Sequence, residues 1–413
     1  MPMKADLDRL MNERHLDAIL VVGAAMHNPP MVYFTGVAHV SDAILVKKRG
    51  NEAILFHRDM ERGEAERSGL RLKRFEDYPM REWHRELGGD FAKARARLYH
   101  EALLEAGVTH GRVAVYGAVD AGAAWAILNH LKSLAPGLEI VGETGDHLTK
   151  KAMLTKDEQE MARIRHMGMI TIEVVGRTAE FLSSQVVMNE MLTHPDGKPV
   201  TIGDVKRRID LWLAELGAEN PEGTIFASGV DAALPHSSGD DAAPLRLGQT
   251  IVFDIFPCEK GGGYYYDFTR TWCLGYATDE ALAVYEQVRQ IYDTVVRELR
   301  MGARCSDYQR RAWDLFEKQG HPTQHSEPGT QRGYVHGLGH GVGLYVHERP
   351  SFSVDEDLGD TLTPGAVFTI EPGLYYPEKG LGVRLEDTYL ANPDGTFERL
   401  AEYPYDLVLP VRH

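Results

Sequence analysis

The stretch from Leu247 to Thr271, LGQTIVFDIFPCEKGGGYYYDFTRT, constrains this chain more than any other. Thr250-Ile251-Val252-Phe253 is an apolar, β-branched run that reads as a buried strand, yet Asp254 follows it without interruption. A glycine-rich turn (Gly261, Gly262, Gly263) then leads into a second β-rich run that carries Asp267. Strand, turn and strand read together as a hairpin with one carboxylate on each arm. Burying a lone carboxylate is costly, so two side by side call for a cation or a shared proton.

The same device occurs twice. Pro364 to Thr388, PGAVFTIEPGLYYPEKGLGVRLEDT, again runs glycine, strand, acid, turn, glycine, acid. Gly248 precedes Asp254 by six positions, as Gly365 precedes Glu371; Gly263 precedes Asp267 by four, as Gly382 precedes Glu386. The acids are 13 apart in the first hairpin and 15 in the second, so the turn is what differs. Two such hairpins predict an internally duplicated domain whose acids face a common centre.

Residues two apart on a strand share a face. Asp267 therefore shares its face with Thr269 and Thr271, while Arg270 points away. Glu386 shares its face with Arg384 and Thr388. Arg384 is thus aimed at the same centre, to pair with an anionic or carbonyl group of a substrate or, as a structural ion pair, with a neighbouring acid. A nitrogen ligand is expected from HGLGHGVGLYVHE, where His336, His340 and His347 fall within twelve residues. Its alternating glycines suggest a phosphate loop only superficially, because no Lys-Ser/Thr follows. His236, in a Gly/Pro/Ser-rich loop just before the first acid strand, is a further candidate.

Four carboxylates converging to within about 4 Å repel by roughly 4 kcal/mol per close pair at an effective dielectric of about 20. Two divalent ions remove that penalty. An oxygen-rich set with one imidazole suits Mn²⁺ first, with Co²⁺ or Zn²⁺ as substitutes. Ions about 3.5–4 Å apart share a water, lower its pKa and polarise a carbonyl, which is the chemistry of hydrolysis.

The remaining sequence frames this centre. A chain of 413 residues holds two or three domains. Its first part alternates short apolar strands (Leu16 to Val22, Ala43 to Val46, Ala53 to Phe56, Val113 to Tyr116, Leu138 to Val141) with helical runs at 5–15, 59–68, 91–106 and 120–134. That predicts an α/β domain over 1–152, followed by an α+β domain over 153–413 in which an antiparallel sheet is backed by about four helices. The first of these helices is expected to be capped by Thr155. A net charge of −16 argues against nucleic acid or anionic membrane as partner. Three cysteines without CxxC spacing fit a reducing cytoplasm. No signal peptide or membrane span is expected, since no apolar run approaches about 18 residues.

With these residues in place, the chain resembles the M24 metallopeptidases of the pita-bread fold, which include Xaa-Pro dipeptidase (prolidase), aminopeptidase P and methionine aminopeptidase. The matching pieces, in order, are Asp254, the run Gly263-Tyr264-Tyr265-Tyr266-Asp267-Phe268-Thr269-Arg270-Thr271, HGLGHGVG from His336, His347-Glu348, TIEPGLY around Glu371 and GVRLED around Glu386. LDAILVV and YFTG in the first domain look like the creatinase/prolidase N-terminal domain, which argues against methionine aminopeptidase. The resemblance implies metal ligation by Asp254, Asp267, His340, Glu371 and Glu386, with Asp267 and Glu386 shared between two ions. It implies Glu371 as proton shuttle, His236 and His347 as stabilisers of the tetrahedral intermediate, and His336 and Arg384 as the border of a proline subsite. The expected activity is Xaa-Pro dipeptidase, with aminopeptidase P action on longer Xaa-Pro-Xaa peptides as the alternative; a homodimer is expected. A creatinase-like amidinohydrolase is disfavoured because that branch works without metal, and a non-catalytic pita-bread module because such proteins lose ligands that this chain keeps.

Overall fold

A computed structural model of the chain describes residues 6–145, 147–355 and 359–412. These gather into two compact units, one formed by the chain up to Met153 together with Gly261–Gly263, the other by Leu154–Lys260 and the chain from Tyr264 onward.

The first unit is built on a six-stranded sheet. Its strands are β1 (Ala18–Gly23), β2 (Ala43–Lys48), β3 (Ile54–His57), β4 (Arg71–Arg74), β5 (Gly111–Gly117) and β6 (Leu138–Gly142), in the order β4-β3-β2-β1-β5-β6. β1, β2 and β3 pair antiparallel, whereas β4, β5 and β6 join in parallel. The continuous apolar runs of β1 and β2 are explained by burial on both faces. Leu20, Val46 and Phe56 pack with Leu98 and Leu131 from the helices Phe91–Glu105 and Ala121–Leu134 on one side, and Ile19, Val21, Leu45 and Leu55 form a second cluster on the other. Asp90 and Asp120 cap those helices, accepting the N–H groups of Lys93 at 3.0 Å and Ala123 at 2.9 Å. Short elements outside the sequence expectations include the helices Pro29–Thr35, Met80–Glu86 and Leu148–Met153 and the strand β4. β4 reads RLKR, without the apolar run of a strand; its parallel pairing with β3 creates it.

The second unit carries four long helices, Glu158–Ser184, Ile202–Glu215, Asp279–Glu298 and Cys305–Lys318. The first starts later than its expected Thr155 cap. Asp157 is the cap, accepting the N–H groups of Gln159 and Glu160 at 2.9 Å while Glu160 accepts the Asp157 N–H at 2.8 Å. Thr155 and Lys156 are drawn out instead, Thr155 into a bridge with Ala366 and the Lys156 N–H onto Gly365 O at 2.8 Å.

Two sheets hold the acids. A four-stranded sheet orders Thr224–Ser228, Thr250–Ile255, Phe268–Leu274 and Val408–Leu409; a five-stranded sheet orders Glu348–Ser351, His340–Gly341, Val367–Ile370, Asp387–Ala391 and Phe397–Arg399. They meet at an antiparallel bridge between Thr269 and Glu386, with Glu386 N–H donating to Thr269 O at 3.1 Å. Each half thus follows one plan of two helices and an acid-bearing strand pair, which is the α+β duplication read from the glycine and acid spacing. The second copy is not an exact repeat: its turn contains a hairpin of its own, Gly373–Tyr376 against Leu381–Arg384. Phe368, Ile370, Leu374 and Val383 pack there against Val288, Ile291 and Phe316 of the helices behind. No helix among the described residues is long and apolar enough to cross a membrane.

Candidate metal centre

Strand register explains how the acids meet. Asp254 lies opposite Thr269 in the first hairpin, so both project from the same face, and Asp267, two residues before Thr269, joins them. In the second copy the ladder ends at Ile370 opposite Asp387, leaving Glu371 and Glu386 just beyond the last pair. His340 enters from a two-residue strand bonded to the same sheet. Gly339 must be glycine there, because a Cβ would stand 2.0 Å from Thr369 O.

His340 Nε2 lies 3.4 Å from Glu371 Oε1, 3.5 Å from Asp267 Oδ2 and 4.0 Å from Glu386 Oε1. Ligand atoms of Asp267, His340 and Glu386 fall within 4.8 Å of one another. The tautomer follows from the other ring nitrogen: Nδ1 is 3.1 Å from Gly341 O, which can only accept, so Nδ1 carries the proton and Nε2 presents its lone pair to the acids. Burial pushes His340 down to about 3, with His347 adding to the effect. Burial raises Asp267 and Glu386 well above the carboxylate range, reinforced by the neighbouring acids, and Glu371 is pushed up to about 8 by burial with Arg384 opposing. A lone pair facing several carboxylate oxygens is the donor set of a cation site.

Two atoms make the same point. Asp254 Oδ1 and Glu386 Oε1 are buried and accept no hydrogen bond, although buried acceptors are nearly always satisfied. The residues present therefore fit divalent ions.

The second layer is specific. Thr269 Oγ1 donates to Glu386 Oε2 at 2.7 Å, and Thr388 Oγ1 to Asp267 O at 2.7 Å. Arg270 points away as alternation requires. It is fully buried with Asp387 (2.9 Å), and its Nη1 donates to the carbonyl of Glu386 at 2.9 Å.

Arg384, expected at the border of a substrate subsite, has its side chain 3% exposed. Nη2 pairs with Asp254 Oδ2 at 2.6 Å, while Nη1 donates to Tyr375 O–H at 2.7 Å and to Pro235 O at 3.1 Å. The Asp254 contact is the ion pair with a neighbouring acid, one of the two pairings expected of Arg384. Tyr375 O–H in turn donates to His336 Nε2 at 2.9 Å, since His336 Nδ1 donates to Gly337 O at 2.7 Å. Burial pushes His336 down to about 3; its Nδ1 lies 3.9 Å from Glu371. Tyr375 was missed in the sequence. The signal was the TIEPGLYY–GVR spacing, which as a hairpin pairs Gly373 with Arg384 and puts Tyr375 on the arginine's face.

His347 packs edge-on against His340 with ring centroids 4.3 Å apart, and its pKa is lowered by burial. His236, in an exposed loop, acts electrostatically on both His336 and His347. Its loop is tied to the centre through the Pro235 carbonyl on Arg384.

Acids and an imidazole on a duplicated α+β scaffold define a metal-dependent hydrolase, and comparison with known proteins sharpens that class. Residues 162–393 match the profile of Metallopeptidase family M24, and residues 4–148 that of the Creatinase/Prolidase N-terminal domain. An Xaa-Pro dipeptidase of Pyrococcus horikoshii is 30% identical over 268 residues, covering 64% of this chain and 71% of that protein. Among solved structures, a dipeptidase from Pyrococcus horikoshii superposes with a TM-score of 0.72 at 23% identity over 98% of both chains. An X-Pro aminopeptidase from Thermotoga maritima gives 0.73 at 22% identity over 97% of this chain and 99% of that one. At those identities the two structures bear on fold alone, which is the pita-bread fold preceded by a creatinase/prolidase-type domain. The chain belongs to metallopeptidase family M24, and membership implies divalent metal ions.

Proposed function

We propose that this protein is a dinuclear, metal-dependent Xaa-Pro dipeptidase. The observation that carries the hydrolytic reading is the lone pair of His340 turned toward Asp267, Glu371 and Glu386; the dipeptide reading is supported by the 30%-identical relative named Xaa-Pro dipeptidase. Asp254, Asp267, His340, Glu371 and Glu386 would hold the metals. When bound, two divalent ions neutralise the acids, acidify a water and polarise the scissile carbonyl. Mn²⁺ is the proposed native ion because the donors are mostly carboxylate oxygens.

The chain's own residues do the rest. Glu371 takes a proton at a carboxylate oxygen as water attacks and passes it to the leaving prolyl nitrogen. His347 and His236 donate to the developing oxyanion. His336, held by Tyr375, lines the subsite for the proline ring, which brings no N–H when it is part of the peptide. Arg384 orients Asp254 and the His236 loop. We also infer a cytoplasmic homodimer; the three cysteines, all buried and none in a disulfide, are in keeping with a reducing compartment.

The test is hydrolysis of an Xaa-Pro dipeptide against an Xaa-Pro-Xaa tripeptide by Mn²⁺-loaded protein, with light scattering for the subunit count. Dipeptide cleavage with the larger kcat/KM is expected. A strong tripeptide preference moves the assignment to aminopeptidase P, and no cleavage of either removes it.

A further inference from the structure

Among the described residues of this half, the most deeply buried ion pair after Arg270–Asp387 belongs neither to the acid cluster nor to the apolar core. Lys156 Nζ meets Glu348 Oε1, with side chains 2% and 0% exposed. The two are 192 positions apart. Lys156 comes from the extended segment ahead of the long helix, anchored by its N–H on Gly365 O at 2.8 Å. Glu348 immediately follows His347 and sits opposite Gly341 in the sheet.

The chain between His340 and His347 is folded over that carboxylate. Tyr345 N–H points at Glu348 Oε2 from 3.4 Å. Gly343 lies so close that a Cβ would stand 2.2 Å from Oε1. The Gly343 N–H donates to Tyr345 O at 3.0 Å, and its carbonyl accepts from Tyr265 N–H at 2.7 Å. The carboxylate is therefore the internal scaffold of the loop, and the loop ends on two imidazoles whose rings touch.

A buried ion pair is weak evidence for stability, because matched apolar residues often serve as well. Removing one partner is different. It takes the ammonium off Glu348 Oε1, so the carboxylate must take up a proton or be reached by water, and water reaches it only as the loop over it opens. We propose that Lys156 is a positioning residue: by neutralising Glu348 it keeps the 341–348 loop closed and His347 set against His340. This rests on the reading that His347 serves the reaction.

The test uses the Mn²⁺-loaded full chain as wild type, Lys156→Met, Glu348→Gln and the double variant. Three quantities are measured: hydrogen exchange of the peptide spanning 341–349, kcat and KM on an Xaa-Pro dipeptide, and bound metal. For Lys156→Met, exchange in that peptide rises by at least about tenfold and kcat falls by about tenfold or more, with KM within about threefold and both ions retained. The double variant, with no buried charge left over, lies nearer wild type than either single change in exchange and kcat. Wild-type exchange and kcat in Lys156→Met overturn the proposal. So does a double variant as impaired as the worse single one, which would assign the effect to lost packing of the lysine stem. If Lys156→Met does not fold, Glu348→Gln against the double variant decides by the same comparison. If the wild type cleaves no Xaa-Pro peptide, the functional reading fails while the exchange measurements still decide this one.

Discussion

Chelating the metal exposes the electrostatics of the centre directly, and the sign of the resulting pH dependence can be worked out. In the metal-free protein Glu371 titrates at about 8 and Asp267 and Glu386 well above the ordinary range. Carboxyls raised in this way stabilise the fold below their unfolded pKa near 4.5, and that contribution is lost as pH rises through the folded value. His336 and His340, lowered from 6.5 to about 3, act in the opposite sense. Their protonation favours the unfolded chain, so they cost stability as pH falls, about 0.4 kcal/mol each at pH 6.5 and almost nothing by pH 8. From pH 6.5 to 8 the carboxyls outweigh them. Glu371 by itself then removes about 2 kcal/mol, and Asp267 and Glu386 add with the same sign. For a unit of this size that is a fall of about 4–8 °C in midpoint. Bound ions hold the acids deprotonated and should flatten the profile. Thermal unfolding of chelated and Mn²⁺-loaded protein at pH 6.5, 7.25 and 8 should show a gap that widens with pH. Parallel profiles, or a chelated protein that gains stability over this window, would refute the claim that the acids are gathered against their own repulsion.

Three further outcomes test the surrounding structure. Arg270→Met strands Asp387, fully buried beside it, and should cost about 3–5 kcal/mol in urea unfolding; because Arg270 also holds the Glu386 carbonyl, metal affinity should fall about tenfold or more, and a variant within about 1 kcal/mol of wild type contradicts this account. Tyr375→Phe removes the hydroxyl that joins Arg384 to His336. It should lower kcat/KM on an Xaa-Pro dipeptide by about tenfold, the effect of a charged hydrogen bond, with bound metal unchanged by elemental analysis. Glu371→Gln cannot carry the proton and should lower kcat by about 10²–10⁴ with the fold retained by circular dichroism; near-normal turnover would count against Glu371 as the proton carrier.

The sequence by itself determined which side chains face the centre, because strand alternation is a local property. Asp267 and Thr269 turn one way and Arg270 the other on the strength of a period of two, and the repeated glycine-to-acid spacing made the duplication legible before any coordinates. The glycine-spaced run from His336 to His347 offered three candidate nitrogen ligands, and His340 was set apart only by the family resemblance. The sequence could not say how the charges pair. Arg384 reaches Asp254 across 130 positions and Lys156 reaches Glu348 across 192, and such partners are set by strand order and sheet register. Tyr375 escaped notice because its hairpin sits inside what reads as a turn, and the helix cap settled on Asp157 because pairing at Gly365 and Ala366 holds the two residues before it extended. Local periodicity chose the faces of the strands; only the packed sheets decided which groups on those faces meet, since Coulomb and hydrogen-bond energies depend on distances that no stretch of sequence contains.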